Sequence, residues 1–253
     1  MKVLKFGGSS VANSQNISKV LQIVANTAFK EKIAVVVSAF GKTTNKLIAA
    51  ANKAANNNAS YTILFDEVKQ LHIQVIADLV NKTAHDKVQQ KVNILFNQLQ
   101  TLLEGCFLLK EVTPKTMATI SSFGELLSSY IISEAAKNIV NATYKDSREL
   151  ISTSNFFDKA QVNFAATNKN CQDFFNNNSY QVTVLPGFIA KSESGLTTTL
   201  GRGGSDYTAA IYAAALNVNE LQIWTDVSGM FTANPSVVKQ AFPISKISYQ
   251  EAM

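Results

Sequence analysis

KVLKFGGSS, at residues 2–10, predicts a short apolar strand that runs directly into a Gly-Gly turn and a helix start. The two glycines allow backbone N–H groups to point inward at an oxyanion, and Lys5 adds a positive charge at the strand end. Ser9 and Ser10 contribute hydroxyl donors. A Gly-Gly between strand and helix is also an ordinary tight connection. The stretch therefore predicts the first strand and helix of an α/β sheet, with a candidate phosphate cradle between them.

Three more apolar runs end in polar or turn residues. They are residues 33–37 before SAFGKTTN, 182–185 before PGFI, and 221–224 before TDVSG. Continuous apolar, β-branched runs are typical of parallel strands buried on both faces, and open α/β sheets bind ligands beyond the carboxyl ends of such strands. The sequence therefore predicts one ligand cleft along one sheet edge. Gly41-Lys42-Thr43 resembles the tail of a phosphate-binding P-loop, but Val36 occupies the position of the required first glycine, which disfavours a P-loop nucleoside triphosphatase.

Gly201-Arg202-Gly203-Gly204-Ser205-Asp206 contains one of only two arginines among 23 basic residues; the other is Arg148. The planar guanidinium binds a carboxylate or phosphate with two parallel hydrogen bonds, which lysine cannot reproduce. The surrounding glycines allow the backbone to approach a ligand closely, and the Ser-Asp pair opens an Ala-rich helix. The alternative interpretation is a polar turn that caps a helix.

Composition narrows the class of protein. A chain of 253 residues with 46% hydrophobic content is long enough to bury one sizeable core, and it has neither a membrane-helix pattern nor a signal-peptide pattern, so we expect a cytoplasmic protein without membrane association. The net charge is +5, but no basic run is interleaved with aromatic residues, so we expect no nucleic-acid partner. Cys106 and Cys171 are isolated, and His72 and His85 are too far apart for an adjacent-turn pair, so we expect no metal site formed by protein ligands.

The middle of the chain predicts helices. Apolar residues recur at three- and four-residue spacings between about 60 and 104, which favours long packing helices over a cofactor site. A further helix is expected at about 124–139, with Glu125 in its first turn. An acid in that position is also favoured by the helix dipole, so Glu125 has a structural interpretation as well as a functional one.

Together these segments resemble the amino-acid kinase superfamily and, within it, the aspartokinases. The matching stretches are KFGGSSVA at 5–12, SAFGKTTN at 38–45, FGELLS at 123–128, PGF at 186–188, TTTLGRGGSDYTAA at 197–210 and IWTDVSGMFTANP at 223–235. The resemblance implies a three-layer α/β/α sandwich with a mostly parallel central sheet, the carbamate kinase-like fold. It also implies one catalytic domain over residues 1–253, with an amino-acid-binding half at about 1–180 and the start of a nucleotide-binding half at about 181–253.

The implied activity is ATP-dependent phosphorylation of L-aspartate to 4-phospho-L-aspartate, the first step of lysine, threonine and methionine biosynthesis. An aspartate side chain has an ordinary pKa of about 3.9, so at neutral pH it is already an anionic nucleophile and requires no general base. Two alternatives remain open. One is another member of the superfamily that acts on glutamate, N-acetylglutamate, carbamate or UMP; the other is a catalytically silent fragment that binds aspartate.

The resemblance also implies roles for individual residues. Lys5 would bridge the phosphates, the N–H groups of Gly7 and Gly8 together with Ser9 would hold phosphoryl oxygens, and Asp206 would orient Lys5. Arg202 would clamp the substrate α-carboxylate, and Glu125 would receive its α-ammonium group. The remaining predicted substrate-binding residues are Ser38, Thr44, Phe188, Gly204 and Ser205.

For the nucleotide, the resemblance implies Thr225, Asp226, Gly229 and Phe231, with Mg²⁺ carried by the phosphates of ATP. The chain departs from the family pattern at Asn234, where an acidic residue is common, and at Ser236, where an arginine is common. It also ends at Met253, where the family continues into a helix and a Gly-Ala-Lys segment. The closing residues 247–253 resemble the kinase portion of bifunctional aspartokinase/homoserine dehydrogenases. We therefore expect a C-terminally truncated chain without regulatory domains, and a homo-oligomer for the full-length protein.

Overall fold

The computed structural model describes residues 1–252; Met253, the last residue of the predicted domain, lies outside them. The strands are β1 (Lys2–Phe6), β2 (Ile33–Val37), β3 (Ala142–Tyr144), β4 (Ser152–Thr153), β5 (Val182–Pro186), β6 (Ile189–Ser192), β7 (Thr197–Thr199) and β8 (Glu220–Trp224). The helices are α1 (Ser14–Ala28), α2 (Thr43–Ala55), α3 (Tyr61–Leu79), α4 (Lys82–Leu109), α5 (Pro114–Ala136), α6 (Phe164–Asn176), α7 (Gly204–Ala215) and α8 (Tyr249–Ala252).

A five-stranded sheet in the order β3-β5-β2-β1-β8 forms the centre, and all of its neighbouring strands are parallel. The last residue of β1, Phe6, is in register with Val37 of β2 and Trp224 of β8, and Val37 is in register with Pro186 of β5. The carboxyl ends of these four strands therefore lie at one sheet edge. This register confirms the four strands predicted from the apolar runs.

Alternation along β1 separates two hydrophobic clusters. Leu4 and Phe6 face the cluster that includes α1 to α5, whereas Val3 faces the cluster that includes α6 and α7. A small second sheet, in the order β4-β6-β7, lies on the α6–α7 side and contributes Ala190 to that cluster. The sheet thus has a helical layer on each face, which confirms the predicted three-layer α/β/α sandwich.

The long helices expected between residues 60 and 104 are α3 and α4, and their apolar stripes pack into the larger cluster. The expected position of the next helix was wrong. Helix α5 begins at Pro114, with the Thr113 side chain accepting the backbone N–H of Thr116, so Glu125 lies in the helix interior. Thr-Pro at 113–114 is the N-cap and first-turn pattern that marks a helix start. The helix dipole therefore does not account for the acid at position 125.

Residues 1–252 include neither a helix suited to span a membrane nor a cluster of metal-ligating side chains. None of the helices in this range combines the length and the apolar character needed to cross a membrane. No group of three or more His, Cys, Asp or Glu side chains is placed to hold a metal ion within the same range. Cys106 and Cys171 are buried free thiols, and burial raises the pKa of Cys171 to about 12.

Candidate functional site

A cavity of about 470 Å³ opens at the carboxyl edge of the central sheet, between the ends of β1 and β2 and the start of α7. Its lining includes the predicted residues Lys5, Ser38, Thr44, Glu125, Phe188, Arg202, Gly204, Ser205 and Asp206. These residues come from both sides of position 180. The division of the chain into two functional halves at about that position remains a prediction.

Lys5 and Asp206 form an ion pair at one end of this cavity. Lys5 lies near the end of β1, and its ammonium is 2.7 Å from the Asp206 carboxylate in the first turn of α7. The Lys5 side chain is only 9% exposed, whereas Asp206 is 51% exposed. The carboxylate is thus placed to orient a nearly buried cation whose remaining donors face the cavity.

The turn after β1 lies beside the cavity rather than in its lining. A Cβ atom on Gly8 would lie 2.8 Å from the Gly41 carbonyl oxygen, so this close approach of two loops requires glycine. The N–H of Gly7 donates to the Trp224 carbonyl at 3.2 Å and extends the β1–β8 ladder. This corrects the role predicted for that N–H, because a group engaged in the sheet is not free to hold a phosphoryl oxygen. Ser9 is exposed next to Gly8.

Glu125 projects from the interior of α5 into the cavity and is 4% exposed. Its Oε1 accepts the backbone N–H of Ala39 at 3.2 Å, while its Oε2 is buried and has no hydrogen-bond partner within residues 1–252. Burial raises the pKa of Glu125 to about 8, and this effect outweighs the lowering effect of the Ala39 N–H and the nearby Thr44 hydroxyl. A buried carboxyl oxygen without a partner, aimed into a cavity, is suited to a cationic ligand group.

Glycine at position 124 allows α5 to approach the loop after β2. A Cβ atom there would lie 2.8 Å from the Ala39 Cβ and 3.2 Å from the Thr44 hydroxyl oxygen. The neighbouring Ser128 hydroxyl donates to the Ser38 carbonyl at 2.9 Å. These contacts hold Glu125 against the end of β2.

The loop after β5 is held against the start of α7. Phe188 has φ = 67°, a left-handed conformation that is unfavourable for a bulky side chain. Its N–H donates to the Thr208 hydroxyl at 2.9 Å. A Cβ atom on Gly204 would lie 2.8 Å from the Phe188 ring, and one on Gly187 would lie 2.6 Å from Ser205. The two glycines thus permit the contact that places Phe188 in the cavity wall.

Arg202 lies between two glycines in left-handed conformations, Gly201 (φ = 75°) and Gly203 (φ = 72°). Its side chain lines the cavity and forms no ion pair or hydrogen bond with any other of the residues 1–252. The guanidinium therefore offers its full set of donors to a ligand. This cation, the Lys5 ammonium and the Glu125 carboxyl together provide binding partners for both ends of a zwitterionic acceptor.

Sequence reasoning missed four lining residues: Asn45, Ile48, Gly201 and Gly203. Three of them carried a usable signal, since Asn45 ends the SAFGKTTN stretch and the glycines flank Arg202. Ile48 is one helical turn beyond Thr44 on α2, so helical periodicity places it on the same face.

The predicted nucleotide residues lie outside this cavity. Thr225 follows β8 and lines a separate recess of about 160 Å³ together with Phe6, Lys19 and Trp224. Its hydroxyl donates to the Asp226 carboxylate at 3.0 Å. Gly229 has φ = 114°, and Phe231 forms an isolated antiparallel bridge with Pro243. Because Phe6 and Trp224 are in register, this recess lies at the same sheet edge as Lys5.

A family model described as the amino acid kinase family matches residues 1–253. The chain belongs to the amino acid kinase family. A solved structure of E. coli aspartokinase III in complex with aspartate and ADP superimposes with a TM-score of 0.87 at 31% identity, over 96% of this chain and 53% of that one. The family assignment thus agrees with the fold and with the motifs found in the sequence.

Longer proteins with aspartokinase names also match the chain. It is 35% identical over its full length to a bifunctional aspartokinase/homoserine dehydrogenase from Buchnera aphidicola, of which it spans 31%. It is 35% identical to aspartokinase 1, chloroplastic, from Arabidopsis thaliana, with 99% of this chain matched to 44% of the relative. The chain thus spans less than half the length of either curated relative.

Proposed function

We propose that the chain is the kinase portion of an aspartokinase, which transfers the γ-phosphoryl group of ATP to the side-chain carboxylate of L-aspartate. The observation that carries this proposal is the convergence of Arg202, Glu125 and the Lys5–Asp206 pair in one cavity of about 470 Å³. The similarity to aspartokinases over essentially the whole chain supports it.

In this proposal the acceptor is held at both ends. The free guanidinium of Arg202 binds the α-carboxylate with two hydrogen bonds, and the Oε2 of Glu125 receives the α-ammonium group. Ser38, Thr44, Phe188, Gly204 and Ser205 shape the rest of the pocket. The side-chain carboxylate is then directed toward the Lys5 end of the cavity.

The transfer needs no proton donor or acceptor. A carboxylate oxygen attacks the γ-phosphorus, the bond to the bridging oxygen breaks, and ADP leaves with that electron pair, so that an acyl phosphate forms. Charge develops on the transferring group, and the ammonium of Lys5, oriented by Asp206, stabilises it. The N–H of Gly8 and the hydroxyl of Ser9 are the nearby donors that remain after Gly7 is assigned to the sheet.

The nucleotide is proposed to bind along the end of β8, with contacts from Thr225, Asp226, Gly229 and Phe231. Mg²⁺ is proposed to arrive on the phosphates, where it supplies charge neutralisation. The acids at the cavity fit this arrangement better than a protein-built magnesium cage, since Asp206 is paired with Lys5 and Glu125 is buried.

The first test is thermal unfolding of the chain with L-aspartate, L-glutamate, N-acetyl-L-glutamate, carbamate and UMP, each with and without Mg-ADP. A ligand that binds the folded state raises the Tm according to its concentration relative to Kd. We expect a selective increase with aspartate. A selective increase with another acceptor would replace aspartokinase with that relative, and no increase with any acceptor would contradict an assembled pocket.

The second test is turnover. With ATP, magnesium and aspartate, we expect ADP release together with an acyl phosphate that hydroxylamine traps as a hydroxamate. Aspartate binding without either product would favour the catalytically silent fragment over the kinase.

A further inference from the structure

A further cavity is lined by α4, α5 and the residues after β3, and it shares no lining residue with the proposed acceptor site. It has a volume of about 210 Å³ and is reached from the end of β3. The lining residues that matter here are Lys91, Leu95, Leu126, Tyr130, Asp146 and Arg148. Arg148 is the second of the two arginines, and the proposed phosphoryl transfer does not use it.

The acidic groups at this cavity already have partners. Asp146 accepts from Arg148 Nε at 3.1 Å and from Nη2 at 2.7 Å, and Glu149 is paired with Lys145. Each of these carboxylates is therefore already paired with an adjacent cation.

Several donors, in contrast, have no partner within the part of the chain that the structure describes. Of the five N–H hydrogens of a guanidinium, Arg148 uses two on Asp146 and one from Nη1 on Thr197, at 3.1 Å, which leaves one on each terminal nitrogen. The ammonium of Lys91 and the hydroxyl of Tyr130 form no hydrogen bond to residues 1–252. Burial raises the pKa of Tyr130 to about 12, so its hydroxyl retains the proton. The unused polar groups therefore favour an anion.

An apolar groove of about 410 Å³ adjoins this cavity and shares Leu95, Leu126 and Arg148 with it. Leu102 on α4 and Phe123 on α5 extend its walls. A ligand with a charged head at Arg148 and a hydrocarbon tail would therefore place each end in a matching environment.

We propose that this α4–α5 site binds a small amphipathic carboxylate, with the head group at Arg148, Lys91 and Tyr130 and the tail along Leu95, Leu102 and Phe123. The site is distinct from the acceptor pocket, although one turn of α5 joins them: Leu126 faces the groove and Glu125 faces the acceptor cavity. The proposal does not depend on the proposed kinase activity, because binding is measured directly.

The test is titration calorimetry of the chain with hexanoate. A ligand of this size with one charged head is expected to bind with a Kd on the order of 1 mM. Propionate, which lacks most of the tail, and hexylammonium, which reverses the charge, are expected to bind at least about tenfold more weakly. Inorganic phosphate tests the head-group site without a tail and is also expected to bind more weakly.

The matched variants are Lys91→Glu and Lys82→Glu. Both residues are exposed on α4, but a separation of nine residues places Lys82 on the opposite face of the helix. Lys91→Glu is expected to weaken hexanoate binding about fivefold or more, whereas Lys82→Glu is expected to leave it unchanged. Tyr130→Phe keeps the packing and removes one donor, so a smaller loss is expected.

Arg202 is also a cation without a partner among residues 1–252, so it could bind the hexanoate carboxylate. The titration is therefore repeated with Arg202→Gln, which is expected to retain hexanoate binding. Loss of binding in that variant would place hexanoate in the acceptor pocket and overturn the proposal. Three other results would also overturn it: hexanoate does not bind saturably, hexylammonium binds as tightly as hexanoate, or Lys91→Glu and Lys82→Glu weaken hexanoate binding equally.

Discussion

Glu125 lies in an environment that is unusual for a glutamate. It is a nearly buried carboxyl, one of whose oxygens has no hydrogen-bond partner among residues 1–252, and burial raises its pKa from the ordinary 4.5 to about 8. It is therefore mostly neutral at pH 7 in the free protein. Binding of an ammonium group at Oε2 would favour the ionised form, because a neighbouring cation lowers a carboxyl pKa.

This shift predicts a pH-dependent stability. A carboxyl whose folded-state pKa is raised contributes stability that is complete below pH 4.5 and is lost as the pH rises through about 8. The side chain of Gln in Glu125→Gln is uncharged at every pH, so this variant lacks the effect. Between about pH 4.5 and 8, we expect the unfolding free energy of the wild type to fall by roughly 2 to 4 kcal/mol relative to that of the variant. Urea unfolding at about pH 5 and about pH 8.5 measures the difference. Parallel stability profiles of the two proteins would contradict the assignment.

The same group predicts proton release on substrate binding. If aspartate converts Glu125 to its ionised form, the affinity for aspartate rises with pH up to about 8, by at most about tenfold per pH unit. Calorimetry in buffers of different ionisation enthalpy detects the released proton. If no proton is released on aspartate binding at about pH 7, the α-ammonium group does not bind at Oε2 of Glu125.

Arg202 predicts a loss of affinity in a conservative variant. Arg202→Lys keeps the charge but loses the planar fork, so we expect KM for aspartate to rise by about tenfold or more, with a smaller effect on kcat. Steady-state kinetics at varied aspartate concentration separate the two. An unchanged KM would show that the α-carboxylate binds elsewhere.

The role proposed for Lys5 predicts a fall in kcat rather than a rise in KM. Lys5→Met removes the charge while keeping a chain of similar length, and kcat is expected to fall by about 10² to 10³ with little change in KM for aspartate. Lys2→Met is the matched control, because Lys2 lies at the other end of β1 in surface ion pairs with Glu31 and Glu220. Equal effects of the two substitutions would indicate damage to the strand rather than loss of a catalytic cation.

At the scale of elements, the contact between the β5 loop and the start of α7 positions the site. Gly204→Ala would place a Cβ atom 2.8 Å from the Phe188 ring, and we expect it to lower stability by about 1 to 3 kcal/mol and to impair turnover. Gly105→Ala is the control. It lies within α4 with no atom within 4 Å of the added Cβ, so the helix is expected to gain roughly 0.5 to 1 kcal/mol. Chemical denaturation of both variants measures these opposite signs, and destabilisation by both would contradict the packing argument.

At the scale of the whole molecule, helices α3 and α4 pack against α2 and α5, two of the helices whose residues line the acceptor cavity. No residue of α3 or α4 lines the acceptor cavity, although both helices pack into the larger cluster. Leu99→Ala, at a fully buried position on α4, is therefore expected to cost about 2 to 5 kcal/mol of stability without changing KM for aspartate below the Tm. A raised KM in the folded variant would show that the helical layer couples to the site.

Local patterns in the chain were sufficient for the four main strands, because continuous β-branched runs such as 33–37 favour buried parallel strands wherever they occur. They were also sufficient to propose that the polar strand ends face one cleft. The start of α5 was mistaken, although Thr113 and Pro114 carried a local signal for it.

Long-range packing decided the rest. The Gly7 N–H is engaged because β8, more than 200 residues later, lies in register beside β1, and no pattern near residue 7 reports that neighbour. The high pKa of Glu125 likewise arises from its burial in the folded chain, which outweighs the lowering effect of the Ala39 N–H, 86 residues earlier in the sequence. The residue sequence thus determined which backbone elements form and which side chains stand at their ends. The folded packing determined which donors remain free and which charges are buried, because hydrogen bonding and desolvation depend on neighbours that are distant along the chain.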